Sequence, residues 1–489
     1  MGGFSSYRFP LLALAAACLA LSGCMVGPNY FKPKVPAPQQ WVGAAGKGVS
    51  ADVPADVTHW WTLFKDPMLD ALVDQAVKAN KDLKIAAARI REARAQRTVA
   101  AAGLFPTLDA TALYTHSRAS DNASTSPLPP GLFPDTGGET GVFTEGQDLF
   151  QAGFDANWEI DIFGRVRRSV EAATADVSAS EESYRDTLIT LLSEVAVNYM
   201  TVRGSQLRLD IALRNIAAQE QTLELTRARF EAGLSSELDV AQASAQHAAT
   251  ESQVPSFETS MRQAMYRLAT LLGSSPGEMV EKLSKVEPVP GIPPAVPVGL
   301  PSDLLRRRPD VRQAERQLAA ATARIGVATA DLFPRLSLTG SLGQSAINLS
   351  DIALGSSTFW SIGPTLRWNI FNAGSTRATI EAQKARTEQA LGTYEKIVLT
   401  SLQDVESALV AYSKEQTRRD ALAAAVRSNE RAYEISSELY AKGLVDFLRV
   451  LESQRSLYVT QDQFALSDQN VSSNLVALYK ALGGGWEVQ

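Results

Sequence analysis

One residue in this sequence is set up for covalent chemistry. Leu21-Ser22-Gly23-Cys24 places small residues ahead of a cysteine, the pattern in which the thiol receives diacylglycerol before the preceding segment is cut away. That segment, residues 1–23, carries Arg8 and then the apolar run LLALAAACLALSG. The run is too short to persist as a membrane-spanning helix and reads as a signal peptide. Cys24 is then the first mature residue, and its acyl chains hold it to a membrane. Met25 follows, where bacterial lipoproteins retained at the inner membrane commonly have aspartate.

Little else could react. Cys18 leaves with the signal, so the remaining cysteine is the acylated one and no disulfide, zinc cluster or redox pair is available. His59, His116 and His247 fall in a tether, a strand and a helix, none with a metal-ligand partner at helical spacing. No nucleophile elbow, Walker loop or dinucleotide fingerprint is present. Asp404 and Glu406 lie two apart and point to different helix faces. Catalysis, a metal and a cofactor are therefore not expected. The net charge of −6, which becomes −7 without Arg8, argues against nucleic acid. With no nucleotide site and no apolar run of transmembrane-helix length after Cys24, the chain cannot power transport, and any further membrane embedding is β.

The elements that carry the remaining motifs are written twice. Arg229–Gln246 (RFEAGLSSELDVAQASAQ) recurs as Leu439–Ser456 (LYAKGLVDFLRVLESQRS) at an offset of 210 residues. The offset also pairs Trp158 with Trp368, Gly164 with Gly374, Tyr184 with Tyr394 and Leu272 with Leu482, the mark of an internal duplication. In each copy a glycine, Gly233 or Gly443, breaks one helical pattern and can take the left-handed conformation that ends a helix. Three residues on, Ser236 and Asp446 are good N-caps for the next helix.

The expected division follows: signal 1–23, lipidated extended tether 24–58, first repeat 59–280, Pro-rich linker 281–301 and second repeat 302–489. Each repeat reads as a helix, a β-hairpin (107–161; 335–370), a very long helix (165–232; 375–442) and a second helix (235–272; 444–482). The first helix, over 67–104, starts at Asp66-Pro67 and stops at Phe105-Pro106. The long helices hold 68 residues each without proline, about 100 Å at about 1.5 Å per residue. Their Ala, Leu, Gln, Glu and Arg content suits packed coiled-coil hairpins. In Leu304-Leu305-Arg306-Arg307-Arg308-Pro309-Asp310 the arginine run reads as a polar helix start rather than a phosphate site.

The hairpins alternate with period two. Phe150, Ala152, Phe154, Ala156, Trp158 and Ile160 share one face and Gln151, Asp155, Asn157 and Glu159 the other. Leu108, Ala110, Ala112 and Tyr114 alternate likewise, as do Leu336, Leu338 and Leu342, and then Trp360, Ile362, Leu366, Trp368 and Ile370. Four strands of membrane length result, one side suited to lipid and one to water. Four cannot close a membrane barrel, whose minimum is about eight, and open edges are not tolerated in lipid. The chain is expected to oligomerise and share the barrel; the residues do not choose between two copies and three. The first hairpin is longer by 18 residues, placed in the polar loop DNASTSPLPPGLFPDTGGETG.

Taken in order, Cys24…GPNY, WWxxFxDPxLDxL, LFP, WEIDIFG, LLRRRPDV…AE, the second FP, IFNAG and YxxGxxDxLxVL resemble the outer membrane factor (TolC-like) family, in its NodT/OprM-type lipoprotein branch. The resemblance implies a mainly α fold with a membrane β part. That is a homotrimer whose 12-stranded barrel, four strands per chain, continues into a long periplasmic α-helical barrel. It implies a passive exit duct in the outer membrane of a Gram-negative bacterium, lipid-anchored, serving an inner-membrane pump of the RND type through a periplasmic adaptor (a membrane fusion protein). Drugs and small amphiphiles are the expected cargo. A duct for type I protein secretion or metal efflux, or a non-transporting structural lipoprotein, are the alternatives.

By the same resemblance the two turns are adaptor-docking tips, built from Arg229, Phe230, Gly233, Leu234, Tyr440, Gly443 and Leu444. Apolar and acidic side chains just past the second turn pinch the periplasmic end shut in the family. Here the matching positions are Leu448 and Glu452, the latter where relatives carry Asp. Asp446, Leu238, Asp239 and Gln242 are neighbouring gate candidates. For Asp446 a plain N-cap role competes, and for Leu238 and Leu448 ordinary hairpin packing. Copies of Glu452 around one axis would repel and attract cations.

Overall fold

The computed structural model describes residues 25–34, 36, 38–50, 57–118, 146–293, 296–299, 301 and 307–486. The signal peptide, Cys24 and most of the first hairpin loop lie outside the described residues. The described chain separates into two compact units, one of residues up to 31, 94–175 and 319–388, the other of 32–93, 176–318 and the rest.

The first unit is built on a four-stranded antiparallel sheet: β1 (Thr107–Ser117), β2 (Gln147–Ile160), β3 (Arg335–Ala346) and β4 (Thr358–Arg367), in that spatial order. The register places the apolar alternation of all four strands on one face. Ala110, Phe154, Leu342 and Trp360 form one cross-strand row, and Leu108, Ala156, Gly340 and Ile362 the next. Among the described residues no second layer covers this face: Leu108 is 70% exposed, Trp360 72% and Ile362 68%. The opposite face carries rows such as Asp109, Asp155, Ser341 and Ser361, with Leu113, Leu149 and Phe359 as apolar exceptions. Among the described residues strands β1 and β4 each leave one edge unpaired.

The second hairpin stops short of the expected Ile370. The chain leaves the ladder after Arg367, and Trp368 Nε1 donates instead to Leu332 O at 3.0 Å. Trp158 makes the same bond to Leu104 O at 2.9 Å, so each LFP motif is tied to the tryptophan of its own repeat.

The second unit holds the main core. Asp66 caps α1 (Pro67–Ala79) by accepting from Met68 and Leu69 amides, with Pro67 in the first turn as the sequence requires. Trp60, Trp61 and Phe64 pack ahead of it against Leu192, Tyr199, Leu268 and Tyr479, and Trp60 stacks on Tyr479 at 5.7 Å. The expected single helix over 67–104 is two. Asn80 ends α1 and opens α2 (Lys81–Ala102), its buried amide donating to Leu271 O while its oxygen accepts from the Leu83 amide.

The long helices α3 (Arg165–Glu231) and α8 (Ser375–Ala441) are uninterrupted. The expected helix over 235–272 divides into α4 (Glu237–Glu251) and α5 (Val254–Leu271), because Pro255 has no amide to continue the ladder. A short α6 (Pro276–Lys282) follows, then α7 (Pro309–Ala330) after the linker. The last helix, α9 (Phe447–Ala481), starts three residues later than expected, at its Asp446 cap. Among the described residues no helix is long and apolar enough to cross a membrane.

The tether is not free throughout. Val49–Ser50 pairs in parallel with Val296–Pro297 of the linker, and Trp41 is buried with its Nε1 donating to Gly299 O at 3.1 Å. The arginine run likewise ends in structure. Arg308 donates to Asp310, Asp404 and Ala481 O at the start of α7, an internal clamp rather than an anion site.

Candidate functional site: the paired helical tips

Both turns between long and following helices close in the same way. The Gly233 amide donates to Phe230 O at 2.8 Å and the Leu234 amide to Arg229 O at 2.8 Å. In the second copy Gly443 donates to Tyr440 O and Leu444 to Leu439 O, each at 2.9 Å. The glycines sit at φ +74° and +71°. This is the double bond pattern of a helix ended by a left-handed residue, and only glycine takes it without strain. Past the turn, Ser236 and Asp239 cap α4 reciprocally, the Ser236 hydroxyl accepting from the Asp239 amide and the Asp239 carboxylate from the Ser236 amide. Asp446 caps α9 by accepting from the Arg449 amide at 3.2 Å.

The structure brings the two tips together through residues expected on the surface. Tyr440 is 4% exposed and packs with Phe447, Val450, Leu223 and Ala243 in a small core of their own. Arg229 lies over its ring at 4.6 Å and donates from Nη1 to Tyr440 O at 3.1 Å. Arg229 and Tyr440 therefore hold tip to tip. Tyr440, expected among the docking residues, is buried within the tip, its ring covered by Phe447 and Arg229. The docking candidates that face outward are Phe230, Leu234 and Leu444, at 44%, 67% and 68% exposure.

The gate candidates separate similarly. Leu238 and Leu448 are exposed, so packing within one hairpin does not account for them. Asp239 and Asp446 are occupied as caps, and Gln242 is half-buried. Glu452 is exposed and takes a partner that sequence reasoning missed: Arg449 Nη1 reaches its Oε2 at 3.3 Å. The signal was legible as an i, i+3 pairing of opposite charges, Arg449 with Glu452, one turn into the helix. The first copy has Asp239 and Gln242 there.

Elsewhere in the second unit a cavity of about 510 Å³ is lined by Asp186, Arg308, Asp310, Asp404 and Lys480 over Ile189, Ala408 and Ala477. Burial, and then the nearby Asp310 charge, push the Asp186 carboxyl above its ordinary range. His116 pairs with Asp148 at 2.7 Å, and among the described residues no group of His, Cys, Asp and Glu is arranged to hold a metal ion.

A lipid-suited sheet joined in one chain to paired helical hairpins has counterparts among known proteins. The family model described as "Outer membrane efflux protein" matches residues 72–274 and 300–484. The chain belongs to the outer membrane efflux protein family. Among its relatives, Nodulation protein T of Rhizobium leguminosarum bv. trifolii is 33% identical over 99% of this chain and 98% of its own length. The pyoverdine export outer membrane protein OpmQ of Pseudomonas aeruginosa is 35% identical over 97% of each. The solved outer-membrane channel OprN superposes with a TM-score of 0.86 at 37% identity, over 95% of this chain and all of that one. This efflux protein thus has the fold of the TolC-like channels and is an outer-membrane exit channel of an efflux system. The family match spans both repeats, and with them both tips.

Proposed function

We propose that this efflux protein is one of three identical subunits of a passive outer-membrane duct. It carries drugs and small amphiphiles handed over by an inner-membrane pump of the RND type through a periplasmic adaptor. The observation that carries the reading is the two-faced sheet with its unpaired β1 and β4 edges. Lipid tolerates no open edge, so further copies must supply the missing partners. On β2 the apolar face runs from Phe150 to Ile160. Ten steps at about 3.4 Å, tilted by about 40°, rise about 25 Å, the height of an outer-membrane apolar band. Three copies of four strands supply twelve, above the minimum for closure.

The tips take the adaptor through Phe230, Leu234 and Leu444, and Leu448 and Glu452 stand at the constriction. Arg449 beside each Glu452 reduces the net acidity of that ring, which tempers the expected pull on cations. Cys24 carries the lipid. The relatives' names speak of pyoverdine export in one case and nodulation in another. Such a spread supports a duct whose cargo is set by its pump. Deleting the gene is expected to raise intracellular accumulation of an amphiphilic dye, and complementation to reverse it; unchanged accumulation counts against the reading. In planar bilayers, Leu448→Gly with Glu452→Ala should raise conductance over the native protein.

A further inference from the structure

We propose that Arg168 is the seat of the N-terminal segment, so that residues 25–29 are docked at the junction of β2 and α3 rather than loosely tethered. Arg168 is only 1% exposed although it stands in the first turn of a helix. Its guanidinium is spent almost entirely on that segment. Nε donates to Val26 O at 3.2 Å, Nη2 to Gly27 O at 3.3 Å and to Asn29 Oδ1 at 2.7 Å. Nη1 is held by Glu171 Oε2 at 2.7 Å. A buried guanidinium is costly unless its donors are met, and without residues 26–29 three of these bonds disappear.

The main chain is shaped for the same contact. The Val26 amide donates to Phe163 O at 3.2 Å, continuing the attachment on the other side of the segment. Gly27, at φ +87°, lies so close to Gly326 that a Cβ on it would sit 2.5 Å from the Gly326 Cα. A Cβ on Gly326 would in turn meet Arg168 Cγ at 2.8 Å, and one on Gly164 would meet Met25 Cγ at 2.8 Å. The seat belongs to the first repeat alone. At the 210-residue offset the second repeat has Ala378, so the shared architecture does not require an arginine there. What distinguishes the first junction is the arriving N-terminus.

The consequence for anchoring rests on the reading that Cys24 is acylated. Residue 24 is one peptide unit, about 3.8 Å between Cα atoms, from Met25. On that reading the acyl chains and the seat hold the same end of the chain independently. Arg168 acts as a positioning residue for that end.

Hydrogen exchange of the purified full chain, read on the N-terminal peptide containing Val26, tests this. The native protein should protect Val26. Arg168→Met should accelerate its exchange by roughly tenfold or more, the loss of charge-assisted bonds, with the peptides of β1–β4 unchanged. Asn29→Ala, which removes one acceptor outside the helices and strands, should give a smaller acceleration and serves if Arg168→Met does not fold. Cys24→Ser should leave the protection intact. Exchange of Val26 at the free-peptide rate in the native protein, continued protection in Arg168→Met, or release by Cys24→Ser alone overturns the proposal. The intact mass reads acylation separately: an unmodified Cys24 sinks the lipid reading while the exchange result on the seat stands.

Discussion

The two tips share a main chain and differ in which side chains they hide. Position for position, Phe230 of the first is 44% exposed while Tyr440 of the second is 4% exposed. Glu237 of the first is exposed, whereas Phe447 of the second is 2% exposed. The first tip closes its cap on itself through Ser236 and Asp239; the second uses Asp446 alone, leaving Arg449 to reach Glu452. The glycine turn is common to both tips, but the second buries the ring that the first exposes, and the first supplies part of its cover. Arg229 shows the direction of support, since it reaches from the first tip to cover the Tyr440 ring of the second.

That asymmetry can be broken by experiment. Tyr440→Ala removes a buried ring and should destabilise the tip region by about 3–5 kcal/mol, whereas Phe230→Ala should cost less than about 1 kcal/mol. Hydrogen exchange at the two turns reads both, and equal losses would erase the distinction. Gly233→Ala and Gly443→Ala test the shared part. Each forces a Cβ into the left-handed region at a cost of about 1–2 kcal/mol, and the two should agree in denaturant unfolding. A large difference would mean the turns are not equivalent.

Tyr440→Phe sharpens the contrast, since it installs the first tip's residue in the second. Among the described residues the buried Tyr440 hydroxyl has no hydrogen-bond partner. Its removal should leave stability unchanged or raise it by up to about 1 kcal/mol, and a clear loss would reveal a partner for the hydroxyl. The smallest effect is expected from Arg449→Ala. The exposed Arg449–Glu452 pair is worth only a few tenths of a kcal/mol. Stability should barely move, while cation selectivity in bilayer recordings should increase through the bare Glu452 ring; unchanged selectivity would take Glu452 away from the constriction.

Much of this was legible from residue order because it depends on local periodicity. The alternation from Phe150 to Ile160 needs only the pleat to put its apolar set on one face, and the register aligns the other strands with it. The glycine turns were equally plain, since left-handed backbone leaves a residue signature. The helix break before Pro255 was open to reading from that proline, but the break at Asn80 was not. Asn80 acts through Leu271, which is 191 residues away, and no periodicity announces that bond. The same holds at the tips: Tyr440 and Phe230 look alike in sequence, and only the approach of Arg229 and Phe447 decides which is covered. The seat of residues 25–29 escaped for a similar reason. Pro- and Gly-rich segments read as tethers until a buried partner such as Arg168 is seen.

The central claim is that a single chain supplies too few strands for its own apolar sheet and completes the barrel with two further copies. Native mass spectrometry of the detergent-extracted, purified protein measures this directly. The account predicts one dominant species of three chain masses that persists on dilution. A monodisperse single chain that stays soluble once detergent is removed would contradict it.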